Sequence, residues 1–197
     1  STMQCELITW AEIERLCKRL AGMIRDSGYK PDIVITIGRG GYVPARLLCD
    51  YLHLMNMTSI KIEHYYAGVR KQKQAVIRYP LKADIENLQV LLVDDVNDTG
   101  DTLDLAIRHL KEHEPAEIRT AVMHNKIITH FTVDYFARNI IKWRWLIYPW
   151  AVYEDIAGFL RDMAVSSPKQ AQQILANEYS IRISLNRLMD IYDSIRS

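Results

Sequence analysis

The chain has 197 residues, 49% of them hydrophobic, enough to bury a substantial core in one domain with an appendage. Its net charge of +1 supplies no global field for nucleic acid, and no apolar run reaches the ~18 residues of a membrane span. Three cysteines, Cys5, Cys17 and Cys49, form neither a disulfide framework nor a metal-ligand spacing, and no signal peptide is visible, so a cytoplasmic protein is expected.

Ser1-Thr2 ahead of Met3 reads as an expression remnant. Thr9-x-x-Glu12 is a capping box. Ile13, Leu16, Cys17, Leu20 and Ile24 then recur at helical spacing until Gly28 and Pro31 end the segment. Ile33 to Ile37 read as a strand, followed by Gly38-Arg39-Gly40-Gly41 and a helix opened by Pro44 that runs through Leu54. Taken alone, G-R-G-G is compatible with an ordinary tight turn, although its glycines allow close approach of backbone to ligand and Arg39 brings a fork of donors. Ser59 to Tyr66 and Ala75 to Tyr79 read as strands around a polar, cationic loop from Ala67 to Gln74.

Residues 90 to 102, V-L-L-V-D-D-V-N-D-T-G-D-T, carry the most information. Val90 to Val93 are four consecutive apolar residues, as in a parallel strand covered on both faces. Asp94 and Asp95 end that strand. The turn from Asp98 to Thr102 then opens a periodic segment (Leu103, Ile107, Leu110), so its backbone N–H groups lie at a helix N-terminus, where donors and dipole favour a phosphate. Glu117 to His124 read as a further strand, with shorter ones at Val133 to Ala137 and Trp145 to Tyr148. This alternation argues for an α/β fold with a mostly parallel sheet flanked by helices.

Helices are expected at Tyr153 to Met163, Lys169 to Tyr179 and Arg182 to Ile195, with a break at Ser166-Ser167-Pro168. Ile181, Leu185, Leu188, Tyr192 and Ile195 form a heptad stripe that the domain or another subunit must cover, and an oligomer contact is the preferred reading. From Pro168 on, Lys169, Arg182, Arg187 and Arg196 face Glu178, Asp190 and Asp193. That balance leaves no phosphate footprint, so nucleic acid is not an expected partner.

The D-D-V-N-D-T-G-D-T run closely resembles the signature of type I phosphoribosyltransferases, which bind 5-phosphoribosyl-1-pyrophosphate (PRPP). The segment G-G-Y-V-P-A-R-L-L after Arg39 resembles bacterial xanthine-guanine phosphoribosyltransferases, and Lys126 with Asp134-Tyr135 eight residues later resembles the 6-oxopurine enzymes generally. Trp145-Leu146-Ile147-Tyr148-Pro149-Trp150 resembles their hood. The resemblance implies the type I phosphoribosyltransferase fold over residues 8–152, including the hood, and a C-terminal helical extension over 153–197.

It also implies roles. Asp94 and Asp95 would meet the ribose hydroxyls, with magnesium ordered at Asp95 and Asp94. Asp98, Thr99, Gly100, Asp101 and Thr102 would hold the 5′-phosphate, and Asp98 would be the general base at the purine N7. Gly38, Arg39 and Gly40 would take the pyrophosphate, with a cis peptide ahead of Arg39. Lys126 would donate to the purine O6, Trp145 would stack on the base and Leu146 would meet its edge. Tyr65, Tyr66, Arg70 and Lys71 would belong to a flexible loop that closes over PRPP.

Three departures stand out. Asn97 replaces a usual apolar residue, Asp101 adds a negative charge inside a phosphate loop, and Ala151 replaces an acidic metal ligand, for which Glu154 or Asp155 would be the substitute. The implied activity is magnesium-dependent transfer of phosphoribose from PRPP to guanine, hypoxanthine or xanthine in purine salvage, by a homodimer or homotetramer. The alternatives are a PRPP-sensing regulator of the same fold and a phosphoribosyltransferase for another nucleobase.

Overall fold

In the computed structural model of the chain, residues 3–127, 131–141 and 144–196 are described; Ser1 and Thr2, read above as a remnant, lie outside them. The elements run β1 (Cys5–Leu7), α1 (Trp10–Asp26), β2 (Ile33–Gly38), α2 (Tyr42–Tyr51), β3 (Met57–Ala67), β4 (Gln72–Tyr79), β5 (Gln89–Asn97) and α3 (Asp101–Lys111). There follow β6 (Glu117–Lys126), β7 (Tyr135–Ile140), β8 (Trp145–Ile147), a 3-10 turn (Pro149–Ala151), α4 (Val152–Asp162), α5 (Pro168–Tyr179) and α6 (Leu185–Arg196). Among the described residues no helix is long and apolar enough to cross a membrane.

Packing divides the chain into two units, one of Ile13–Ile141 and the other of the chain up to Glu12 and from residue 144 onward. The larger unit is built on a six-stranded sheet of order β4-β3-β2-β5-β6-β7. All neighbours are parallel except β3 and β4. The apolar runs seen in the sequence are the reason: Ile35, Leu91 and Leu92 are fully buried. Each such side chain contributes about 1.5–3 kcal/mol on leaving water. The cap on α1 forms as its spacing predicts, the Glu12 amide donating to Thr9 Oγ1 at 3.1 Å.

In the smaller unit β1 and β8 pair in parallel. Ser167 caps α5, accepting from the Gln170 amide at 3.2 Å with Pro168 at the first helical position. The heptad stripe of the tail, expected to meet another subunit, is covered within its own unit instead. Ile181, Leu188 and Tyr192 are buried with Ile156, Leu160, Leu175 and Ile147 in one cluster within this unit, and Leu185 and Ile195 are half-buried. Heptad spacing shows that a face must be covered but does not say by what.

Candidate active site

The order of strands fixes where a ligand can sit. From β2 the chain moves outward to β3 on one side, then returns at β5 and moves outward to β6 on the other, so β2 and β5 are neighbours at a switch point. Crevices at such points, outside the carboxyl ends of the strands, are the ligand sites of open α/β sheets. Here a cleft of about 350 Å³ opens there, lined by residues of the loop after β2, the end of β5 with the loop into α3, and the facing strands β3 and β4.

The loop from Asp98 to Thr102 forms its floor. Gly100 has φ +93°, a left-handed conformation that glycine adopts without a Cβ clash, and it is the N-cap of α3. The first-turn amides of α3 have no intrahelical acceptors, and together with the helix dipole they present an anion cradle. Asp101 is exposed, so the extra charge in this loop reaches solvent.

Asp94 and Asp95 stand at the cleft just past Val93, the last residue of β5 paired with β2, while β5 itself runs on beside β6 to Asn97. Asp94 is only 8% exposed; its Oδ1 accepts from the Asp95 amide at 2.9 Å, while Asp95 Oδ1 accepts from the Val96 amide at 2.8 Å. Burial, then the neighbouring Asp95 carboxylate, pushes the Asp94 carboxyl well above the usual range. Burial raises Asp95 as well, against its hydrogen bonds, which lower it. The pair therefore holds more negative charge than its surroundings compensate and tends to retain a proton. A hard divalent cation is the group such oxygen donors suit.

The loop after β2 closes the other side. Its Gly38-Arg39 peptide is cis, as the resemblance implies, and Arg39 is exposed. A Cβ at Gly40 would lie 2.3 Å from Asp95 Oδ2, and one at Gly41 would lie 2.3 Å from Thr36 Oγ1. The loop thus packs directly against strands β5 and β2, and only glycine fits at these two positions. No periodicity in the sequence signals this contact.

On the other flank of β5, Lys126 Nζ lies 2.9 Å from Asp98 Oδ1. The register that puts Asn97 opposite Asn125, and Asn125 opposite Asn139, builds an amide ladder beneath them. Asn97 Nδ2 donates to Asn125 Oδ1 at 2.9 Å and to the Phe131 carbonyl at 3.3 Å, and Asn125 Nδ2 donates to Asn139 Oδ1 at 3.3 Å. Two acceptors on Nδ2 fix the orientation of the Asn97 amide and leave its buried Oδ1 without a hydrogen-bond partner. The polar departure at position 97 is thus absorbed by neighbouring strands.

The segment expected to be a flexible loop is a hairpin here. Tyr65, Tyr66 and Ala67 pair with Gln74, Lys73 and Gln72, leaving a turn that contains Arg70 and Lys71. Gln72 to Gln74, which composition places in the loop, pair with the strand-forming tyrosines and so lengthen the hairpin beyond Ala75. Two residues of this hairpin that sequence reasoning did not assign to the site, His64 and Lys73, line the cleft. Alternation from buried Ile60 and Ile62 was the available signal, since His64 falls on the same face.

Trp145, Leu146 and Glu154 belong to the smaller unit. Trp145 is 49% exposed and its indole hydrogen-bonds Asp155, whose carboxyl is raised chiefly by burial and lowered by that bond. Tyr148 stacks on Trp150 at 4.9 Å. Glu154 is exposed in the first turn of α4.

Fold and cleft place the chain in the class of α/β proteins that take ligands at a sheet's switch point. Comparison gives the family: a phosphoribosyl transferase domain matches residues 4–155, and the chain belongs to that family. It is 32% identical to a xanthine-guanine phosphoribosyltransferase of Ruegeria over 73% of this chain and 83% of that one. With a hypoxanthine-guanine phosphoribosyltransferase of Saccharomyces cerevisiae it shares 27% identity over 74% of this chain and 85% of that one. The crystal structure of a purine phosphoribosyltransferase from Pyrococcus horikoshii superposes with a TM-score of 0.67 at 32% identity, covering 75% of this chain and 94% of that one.

Proposed function

We infer that this protein transfers the 5-phosphoribosyl group of PRPP to a 6-oxopurine, giving the nucleoside 5′-monophosphate and pyrophosphate, as in purine salvage. The observation that carries the reading is the 2.9 Å approach of Lys126 to Asp98 beside the anion cradle. An ammonium only donates, so it suits the carbonyl O6 of guanine, hypoxanthine or xanthine and opposes the amino group of adenine. The names of the relatives support the same substrate class.

In this reading the first turn of α3 holds the 5′-phosphate, Asp94 and Asp95 accept from the ribose hydroxyls, and the Gly38–Gly40 loop with Arg39 receives the pyrophosphate. Positive charge develops at C1 of the ribose as pyrophosphate leaves, while the purine nitrogen attacks from the opposite face. Fixing both reactants removes much of the entropic barrier, and Arg39 with the loop amides stabilises the departing charge. Asp98 accepts or holds the N7 proton. Trp145 and Leu146 are assigned to the base by resemblance.

Magnesium is part of the proposal. Asp95 and Asp94 would hold it, Glu154 is the further acidic ligand that the resemblance offers, and the ion would supply charge neutralisation to the pyrophosphate. Hairpin residues Tyr65, Tyr66, Arg70 and Lys71 would cover PRPP and exclude water.

A spectrophotometric assay with PRPP, magnesium and each of guanine, hypoxanthine, xanthine, adenine and uracil tests this. Turnover of one or more 6-oxopurines is expected. Turnover of adenine alone would overturn the assignment of Lys126, and no turnover with any base would favour a PRPP-sensing regulator.

A further inference from the structure

The cradle at the start of α3 is faced by two hairpin side chains, His64 and Lys73, that have no role in the proposed mechanism. Strand pairing sets Ile62 opposite Ile77, His64 opposite Ala75 and Tyr66 opposite Lys73. Directly opposed residues of an antiparallel pair share one face of the sheet, so His64 and Lys73 emerge on the same side as buried Ile62. That side is the cleft, which both residues line. His64 Nε2 lies 3.1 Å from Thr102 Oγ1, in the first turn of α3.

We propose that His64 is a ligand of the 5′-phosphate, supplied by the hairpin from across the cleft. This rests on the phosphoribosyltransferase reading and names a contact which that reading does not contain. A phosphate seated on the first-turn amides of α3 meets the Thr102 hydroxyl, and an imidazole within hydrogen-bond distance of that hydroxyl is within reach of the same phosphate oxygens. The exchange is simple: the Nε2 contact to Thr102 is replaced or shared by one to the monoester.

Electrostatics supports the assignment. A phosphate monoester has more acceptor oxygens than the α3 amides can satisfy, so further donors from across the cleft have a place on it. His64 and Lys73 are positioned to provide them. Burial and Lys73 lower the His64 pKa from 6.5 while Asp101 opposes that shift, so at neutral pH the ring is the neutral form with one N–H to donate. A contact from the hairpin also makes the monoester itself the element that pins β3 and β4 over the cleft.

The test compares guanosine 5′-monophosphate with guanosine, and ribose 5-phosphate with ribose, by titration calorimetry on the full chain. His64→Ala is expected to weaken both phosphorylated ligands by about tenfold, the scale of one lost hydrogen bond to a charged group, with guanosine binding and the thermal midpoint unchanged. His64→Gln, which keeps a donor, should regain most of that loss. Equal weakening of guanosine and its monophosphate, or no effect on either, would overturn the role of His64 while leaving the enzyme reading in place. Failure of the unsubstituted protein to bind any phosphorylated ligand would overturn both together.

Discussion

Lys126 Nζ and Asp98 Oδ1 are 2.9 Å apart, so the donor-only group and the acid proposed to meet adjacent atoms of one purine already meet each other across β5 and β6. Both are partly solvent-accessible, and a pair of this kind contributes at most about 1 kcal/mol to stability.

Lys126→Ala should therefore leave the thermal midpoint within about 3 °C, while kcat/KM for guanine falls by about 10- to 100-fold through loss of a charge-assisted hydrogen bond. Binding of PRPP measured alone should not change. Equal loss for base and PRPP would mean that the lysine only holds the strand tips together.

Gly40→Ala places a methyl group 2.3 Å from Asp95 Oδ2. Either the loop or the carboxylate must move, at a cost of about 1–3 kcal/mol for overpacking. Steady-state kinetics should show a loss of at least about 100-fold in kcat, as expected when reacting groups are displaced by about 1 Å. Near-normal turnover would show that the close packing of this loop on Asp95 is dispensable.

Asp94 gives a stability prediction of unusual sign. Its carboxyl is raised by burial and by Asp95, so the folded chain keeps a proton that the unfolded chain releases above the ordinary value of 3.8. Stability from this group is consequently full below 3.8 and is lost as pH rises from there through the raised folded value. Asp94→Asn removes that dependence. Calorimetric melting at pH 7 should show a higher midpoint for the variant, with the gap closing towards pH 4, while PRPP affinity drops by about tenfold or more.

His124 carries the opposite slope. It is fully buried on β6, and burial followed by the Arg138 charge lowers its pKa from 6.5 to about 4. The unfolded chain takes up a proton below pH 6.5 that the folded chain refuses until about pH 4, so stability falls as pH drops through this window. The loss approaches about 3 kcal/mol at its acid end. Unfolding free energies from urea titrations of the unsubstituted chain and His124→Gln, measured from pH 7 to pH 4, should change relative to each other by roughly that amount; parallel curves would show that the ring is not held neutral.

Local chemistry made much of this legible without coordinates. The apolar run Val90–Val93 read as a strand covered on both faces, the turn Asp98–Thr102 as the opening of a helix, and the acids between them as the strand's end. Each of those inferences rests on a few neighbouring residues; the first two hold in the structure, while the strand runs on past the acids to Asn97. The parallel order followed from alternation alone, because crossover helices leave few other arrangements.

Relationships across the sheet were decided only by folding. That Gly40 touches Asp95, that Asn97, Asn125 and Asn139 share one register, and that His64 reaches Thr102 depend on strand order and stagger. Composition suggested a loop from Ala67 to Gln74 where Gln72 to Gln74 pair with Tyr65 to Ala67 and lengthen a hairpin, and periodicity showed that the tail has a buried face without revealing that its own unit covers it. The reason is physical: short-range pattern encodes which groups must leave water, while the identity of the partner that removes them is a property of the whole packed chain.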